Sequence, residues 1–152
     1  VRRVPNEPGM AAKVFTMLAE AGVNVDMIVQ ASASTGTADI SFTVPGSAAA
    51  KVRDVLQEKQ DELGYQSFDI DANVGKVAVV GVGMKTHSGL AAKFFNALSD
   101  EGVNVLMIST SEIRIAALVP LEQLQDAVRA LHTAYGLDAE QVEAVVYGGT
   151  GR

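Results

Sequence analysis

The sequence contains no cysteine and no tryptophan, and only two histidines and four prolines, in 152 residues. Without cysteine there are no disulfides and no thiolate metal sites, which is typical of the reducing cytoplasm. No apolar run approaches the roughly 18–20 residues of a membrane span, and no signal peptide opens the chain. The formal net charge of −6 argues against nucleic-acid phosphates as partners. These absences predict a cytoplasmic globular module with no nucleic-acid and no membrane partner.

Residues with catalytic chemistry are scarce and scattered. His87 and His132 are the only imidazoles, and neither has neighbouring residues spaced as a catalytic triad or a metal site. Gly81 and Gly83 follow a predicted strand, but the next glycine is Gly89, and the spacing of a dinucleotide-binding loop is absent. The sequence therefore predicts no catalytic site, no metal and no cofactor within this chain.

The chain repeats itself. When residues 9–28 are shifted by eighty positions, twelve of these twenty residues are identical without a gap. Self-similarity of this kind indicates two copies of one structural unit. Units of about seventy residues hide only about 60% of their unfolded surface, so we expect them to pack on each other or on a second chain.

Both copies have the same predicted order of elements. In the first, apolar residues recur at helical spacing over residues 10–21, and alternation with a period of two follows over residues 23–30. The further predicted elements are strand 38–44, helix 47–63, strand 65–70, strand 76–82, a helix from residue 88, strands 103–109 and 112–119, helix 121–135 and strand 142–147. The order β-α-β-β-α-β predicts an α+β protein with two ferredoxin-like units in tandem, over residues 1–72 and 73–152.

The first unit has no obvious counterpart to strand 76–82. The eighty-residue shift puts that counterpart almost entirely before residue 1, so we expect the first strand of the first unit to be missing. A sheet without it would expose a raw edge, as in the C-terminal piece of a longer protein or one partner of a complex. The last strand, residues 142–147, can belong to its own unit or cross to the first.

The start of the first helix in each unit has features of a binding site for a free amino acid. Residues 6–9 and 86–89 precede these helices, where unpaired N–H groups and the helix dipole attract a carboxylate. Gly9 and Gly89 allow a ligand to approach the backbone closely.

Oxygen-bearing side chains accompany the helix start in the first unit. Asn24, Asp26 and Gln30 can hold an ammonium group, and this complements a carboxylate site. The same pattern equally fits a structural role, in which Asn6 and Ser88 cap helices and Asn24 lies in a turn.

Several segments resemble the C-terminal regulatory region of bacterial aspartate kinases, which is a pair of ACT domains. These segments are residues 5–9, 24–30, 37–43, 74–77, 81–85, 108–115 and 144–152. The likeness covers essentially the whole chain, and Ser-Thr-Ser-Glu-Ile-Arg-Ile at residues 109–115 is specific to this enzyme among ACT proteins. In actinobacterial-type enzymes the same region is also made separately, as a regulatory subunit that assembles with the catalytic one.

The resemblance implies a feedback sensor for the pathway that makes lysine, threonine and methionine. It also implies a homodimer in which effector sites lie between the first ACT domain of one chain and the second of the other. A threonine-type site would use Asn6, Gly9, Ala11 and Gln30, closed by Asn104 and Val105 of the other chain, and a lysine site would lie around Asp26, Ser109, Ser111 and Glu112. All effector-binding candidates are Asn6, Gly9, Met10, Ala11, Asn24, Val25, Asp26, Gln30, Asn104, Val105, Ser109, Ser111 and Glu112.

Three positions depart from the family pattern. Asn6 stands where Asp is usual, residues 31–33 replace Asn-Val-Ser, and Leu106 stands where Glu is usual. These departures bear on which amino acid binds, threonine, lysine or both. The alternative function is a purely structural dimerisation module of aspartate kinase that binds no metabolite.

Overall fold

The computed structural model describes residues 1–81 and 89–136 in full, and the backbone of residues 144–149. The chain divides into two compact units, residues 1–72 and 73–151. The sequence suggested Ser88 as a helix cap, but this residue lies outside the described residues. The same holds for residues 142–143 of the last predicted strand. Among the helices of this described part, none is long and apolar enough to cross a membrane.

The first unit contains three strands and three helices. They are β1 (Val4–Pro5), α1 (Met10–Glu20), β2 (Ile28–Ser32), β3 (Thr37–Phe42), α2 (Ala49–Glu58) and α3 (Gln60–Leu63). A 3-10 turn, Gly46–Ala48, leads into α2. The strands form an antiparallel sheet in the order β1-β3-β2, so β2 is an edge strand.

The second unit has the complete β-α-β-β-α-β order. Its elements are β4 (Val74–Gly81), α4 (Leu90–Asp100), β5 (Met107–Thr110), β6 (Arg114–Pro120), α5 (Leu124–Ala134) and β7 (Ala144–Gly149). A 3-10 turn, Leu121–Gln123, precedes α5. The sheet order is β5-β6-β4-β7 with antiparallel neighbours throughout. This is the ferredoxin-like arrangement, and the predicted fold class is confirmed.

Each unit has its own apolar core between one sheet face and its helices. In the second unit Phe94 and Leu98 lie four positions apart, on the same face of α4. Both are fully buried, together with Leu131 of α5. In the first unit the helical residues Val14 and Leu18 pack in the same core cluster as Ile40 of β3. Two complete cores explain why the repeat reads as two structural units.

The first strand of the first unit is present at Val4–Pro5. The sequence suggested that it lies before residue 1, whereas β1 is present and Val1 and Ile40 exchange backbone hydrogen bonds of 2.8 and 2.9 Å. The strand predicted over residues 65–70 was wrong, because only an isolated bridge joins Arg2 and Ser67 there. In the second unit β7 pairs with β4 over six residues. The last strand therefore pairs within its own unit.

Candidate effector-binding site

The residue before helix α1 is a glycine in the left-handed region, and no side chain caps the helix. Gly9 has a φ of 90°, and its carbonyl accepts a 2.9 Å hydrogen bond from the N–H of Lys13. A Cβ atom built at Gly9 would meet nothing within 4 Å, so the space beside the helix start is open. Met10 and Ala11 are half-buried and lie in the first turn. The N–H of Met10 donates to the carbonyl of Glu7 at 3.3 Å, and the N–H of Ala11 has no acceptor within the helix. The same geometry recurs at Gly89, with a φ of 88°.

Asn6 contacts the β2–β3 hairpin and does not cap α1. Its backbone N–H donates to the carbonyl of Gly36 at 3.0 Å, and its Nδ2 donates to Ser32 Oγ at 3.3 Å. The capping role suggested for Asn6 is therefore wrong. Because Nδ2 of Asn6 donates to Ser32, the carbonyl oxygen Oδ1 of Asn6 is the atom left to accept a hydrogen bond from a ligand.

Gln30 lies on the same face of the edge strand as Ser32. The register places Gln30 opposite Ile40 and Ser32 opposite Ala38, and both of these partners are buried on the helix-covered face of the sheet. Alternate residues of a strand share a face and lie about 6.5 Å apart. Asn6, bonded to Ser32, is thus brought near Gln30 at the free edge of the first unit's sheet.

The loop between α1 and β2 presents two polar residues to solvent and one apolar residue to the core. Asn24 is exposed, whereas Val25 packs against the core of the first unit. Asp26 is exposed, and its backbone N–H donates to the carbonyl of Thr43 at 3.0 Å. Val25 can therefore contribute backbone atoms to a ligand, while Asn24 and Asp26 can contribute side-chain oxygens.

The corresponding loop of the second unit is held by a glutamine. Asn104 is exposed, and its N–H donates to Oε1 of Gln123 at 2.9 Å. Nε2 of Gln123 donates to the carbonyl of Gly102 at 3.1 Å. Val105 packs partly against the core of this unit, as Val25 does in the first.

Three of the candidates assigned to a lysine site lie at the β5–β6 hairpin. Ser109 is half-buried in β5 opposite Ala116. The N–H of Ser111 donates to the carbonyl of Arg114 at 2.7 Å, and Ser111 and Glu112 are exposed in the turn. The structure thus gathers Ser109, Ser111 and Glu112 at one hairpin of the second unit, while Asp26 belongs to the first unit.

Two tyrosines that are not among the candidate residues have hydroxyls with raised pKa values. Burial raises the pKa of Tyr65, whose hydroxyl donates to the carbonyl of Leu56. Burial likewise raises the pKa of Tyr135, which donates to the carbonyl of Leu90 at 2.7 Å. Both hydroxyls join an element to a helix backbone and thus serve the fold. Within residues 1–81 and 89–136, no group of three His, Asp or Glu side chains is arranged to hold a metal ion.

Sequence reasoning missed two residues that contact the candidates, Ser32 and Gln123. Ser32 lies 26 positions from Asn6, and Gln123 lies 19 positions from Asn104. Aligning the two repeats through their 3-10 turns would have drawn attention to Gln123, because the first unit has Ala48 in its place.

The repeat corresponds to a known domain. The family model for the ACT domain matches residues 2–60 and again residues 77–135. An aspartokinase of Corynebacterium glutamicum is 46% identical over 151 residues, which cover 98% of this chain and 36% of that protein. An aspartokinase of Pseudomonas aeruginosa is 42% identical over 139 residues, covering 91% and 34%. The chain thus spans about a third of the length of these curated relatives.

Two solved structures match along most of their own length. A structure of aspartokinase alpha and beta subunits gives a TM-score of 0.82 at 44% identity, covering 90% of this chain and 89% of that chain. The ligand-free regulatory subunit of aspartate kinase from Thermus thermophilus gives 0.80 at 38% identity, covering 88% and 87%. The chain belongs to the ACT-domain family and is a regulatory ACT region of the aspartokinase type.

Proposed function

We propose that this chain is the feedback sensor of an aspartokinase. It binds an end-product amino acid, threonine or lysine or both, between the ACT domains of a cytoplasmic homodimer. Binding then changes the activity of a catalytic subunit or domain.

The observation that carries the proposal is the juxtaposition of Asn6, Ser32 and Gln30 at one sheet edge, close in sequence to an uncapped helix start. The first-turn N–H groups of α1 attract the carboxylate of an amino acid. Oδ1 of Asn6 and Oε1 of Gln30 accept hydrogen bonds from its ammonium group. The open space beside Gly9 leaves room for the ligand backbone. A free zwitterion matches this set of donors and acceptors.

The dimer is supported by apolar residues on the edge strands and next to them. Ile28 in β2, Ile108 in β5, and the neighbouring Leu106 and Ile113 are 48% to 55% exposed. An edge strand offers unpaired backbone groups to another strand, and exposed apolar patches mark interaction sites. A second copy of the chain would cover these residues and bring its Asn104 and Val105 to the ligand.

Inhibition requires that the effector binds one arrangement of the catalytic part better than another. A coupling free energy of about 1–3 kcal/mol gives roughly 5- to 150-fold inhibition. The effector also stabilises the dimer by mass action, because its site is complete only in the dimer. Sensing and dimerisation are thus one coupled equilibrium.

Calorimetric titration of the full chain with L-threonine and with L-lysine tests the proposal. D-threonine is the matched control ligand, since it has the same groups in the mirror-image arrangement. Saturable binding of an L-amino acid, with a tighter dimer in sedimentation, is the expected result. A dimer that binds neither L-amino acid would instead identify the chain as a structural dimerisation module.

A further inference from the structure

The side chain of Gln123 makes two hydrogen bonds to the loop between α4 and β5. Its amide offers one acceptor and one donor, and the loop uses both: the N–H of Asn104 donates to Oε1 at 2.9 Å, and the carbonyl of Gly102 accepts from Nε2 at 3.1 Å. Two oppositely directed bonds fix the orientation of the amide plane. They also fix the backbone on both sides of Val103.

The remaining anchors of this loop lie at its ends. The N–H of Val103 donates to the carbonyl of Leu98 at 2.9 Å, and the N–H of Leu106 donates to the carbonyl of Leu118 at 2.7 Å. The backbone of Asn104 lies between these anchors, so the bond from Gln123 is the one that holds the middle of the loop.

The first unit has the same loop without these two side-chain hydrogen bonds. There the N–H of Val23 donates to Leu18 at 3.0 Å and the N–H of Asp26 donates to Thr43 at 3.0 Å, which reproduces the two end anchors. Gln123 ends the 3-10 turn before α5 with φ −100° and ψ 0°, and Ala48 ends the matching turn before α2 with φ −93° and ψ −5°. The backbone is the same, but alanine has no group that can bond to the loop.

We propose that Gln123 is a positioning residue for effector binding, which holds the Asn104–Val105 segment in its binding conformation. The inference rests on the proposed function, in which this segment closes the ligand site of a second chain. A loop ordered before binding loses less conformational entropy when the ligand arrives. The repeats therefore differ in role: the second unit supplies a preorganised closing loop, and the first supplies the helix start and the edge strand.

The test is threonine titration of the full chain carrying Gln123→Met, which keeps the length of the side chain and removes both hydrogen bonds. Gln123→Glu is the rescue variant, because a carboxylate still accepts from the N–H of Asn104. Gln125→Met is the matched control, since Gln125 is an exposed glutamine two positions further on, in α5. Amide hydrogen exchange at Asn104 reports on the loop itself.

Loss of these bonds predicts threonine binding that is about two- to ten-fold weaker in Gln123→Met. Amide hydrogen exchange at Asn104 should be faster in Gln123→Met. The melting temperature of Gln123→Met should equal that of Gln125→Met. Gln123→Glu should bind more tightly than Gln123→Met.

Unchanged affinity in Gln123→Met, with binding by the wild type, would overturn the inference and leave the proposed function standing. Equal weakening in Gln123→Glu and Gln123→Met would also overturn it, because the retained acceptor would then have no effect. A wild-type chain that binds neither L-threonine nor L-lysine would overturn both.

Discussion

Replacing Asn6 by aspartate adds one negative charge where the ammonium group of an effector is proposed to lie. Asn6 is exposed, and its Nδ2 donates to Ser32 Oγ at 3.3 Å. A carboxylate has the same shape, and the Ser32 hydroxyl can reverse its role and donate to it. The local geometry should therefore survive the change. What changes is the charge facing the ligand.

The magnitude follows from the exposure of this position. Two unit charges 4 Å apart attract by about 1 kcal/mol in water. The carboxylate of the effector lies farther away and reduces this gain without cancelling it. We therefore expect Asn6→Asp to bind threonine about two- to five-fold more tightly. The gain should fall to roughly a third in free energy near 0.5 M salt, where the screening length is roughly 4 Å.

Calorimetry at low and high salt measures this effect. Gln57→Glu is the control, because it adds a similar charge at an exposed position of α2 in the same unit. Equal or weaker threonine binding by Asn6→Asp at low salt would refute the reasoning. So would an equal gain in the Gln57→Glu control, because net charge alone would then explain it.

The remaining predictions concern Gln30 on edge strand β2, the dimer interface and the apolar core. Gln30→Ala removes an acceptor for the ammonium group and should weaken threonine binding by about 0.5–1.5 kcal/mol in calorimetry, whereas Gln57→Ala should not; equal affinities would remove Gln30 from the site. Ile108→Lys puts a charge on edge strand β5, where lysine blocks strand pairing, and should raise the dimer dissociation constant in sedimentation; an unaltered constant would exclude this edge from the interface. Leu98→Ala empties a fully buried position and should lower the free energy of unfolding by about 2–5 kcal/mol in urea titration; a loss below 1 kcal/mol would contradict the packing described.

The fold was largely predictable because its signals are local. Twelve identical residues at a fixed spacing indicated two units, and the change from helical spacing to alternation indicated the element order. The alternation over residues 23–30 also gave the right exposed side chains, among them Asn24 and Gln30. The regular strand nevertheless begins only at Ile28, although the backbone of Asp26 and Met27 still exchanges hydrogen bonds with Thr43.

What could not be predicted depends on contacts between distant residues. A capping role for Asn6 was reasonable from its position before α1, but the N-cap residue is Gly9, with a φ of 90°. Asn6 instead bonds to Gly36 and Ser32 of the hairpin. No periodicity marks such a contact. The strand over residues 65–70 also depended on a distant contact, and only the isolated bridge between Arg2 and Ser67 forms there.

The hydrogen bonds between Gln123 and the loop between α4 and β5 show what a repeat can add to sequence reasoning. A glutamine at the start of a helix is unremarkable by itself, and Gln123 carries no motif. Its position becomes informative only beside Ala48, its counterpart in the first unit. Differences between matched positions of a duplicated fold point to where the two copies have separate tasks.

The most direct test is a crystal structure of the full chain grown with L-threonine. We predict one threonine at each α1 start, its carboxylate on first-turn N–H groups and its ammonium between Asn6 and Gln30, with Asn104 of a second chain against it. Threonine bound elsewhere, or a dimer whose α1 starts contain no amino acid at saturating concentration, would contradict the account.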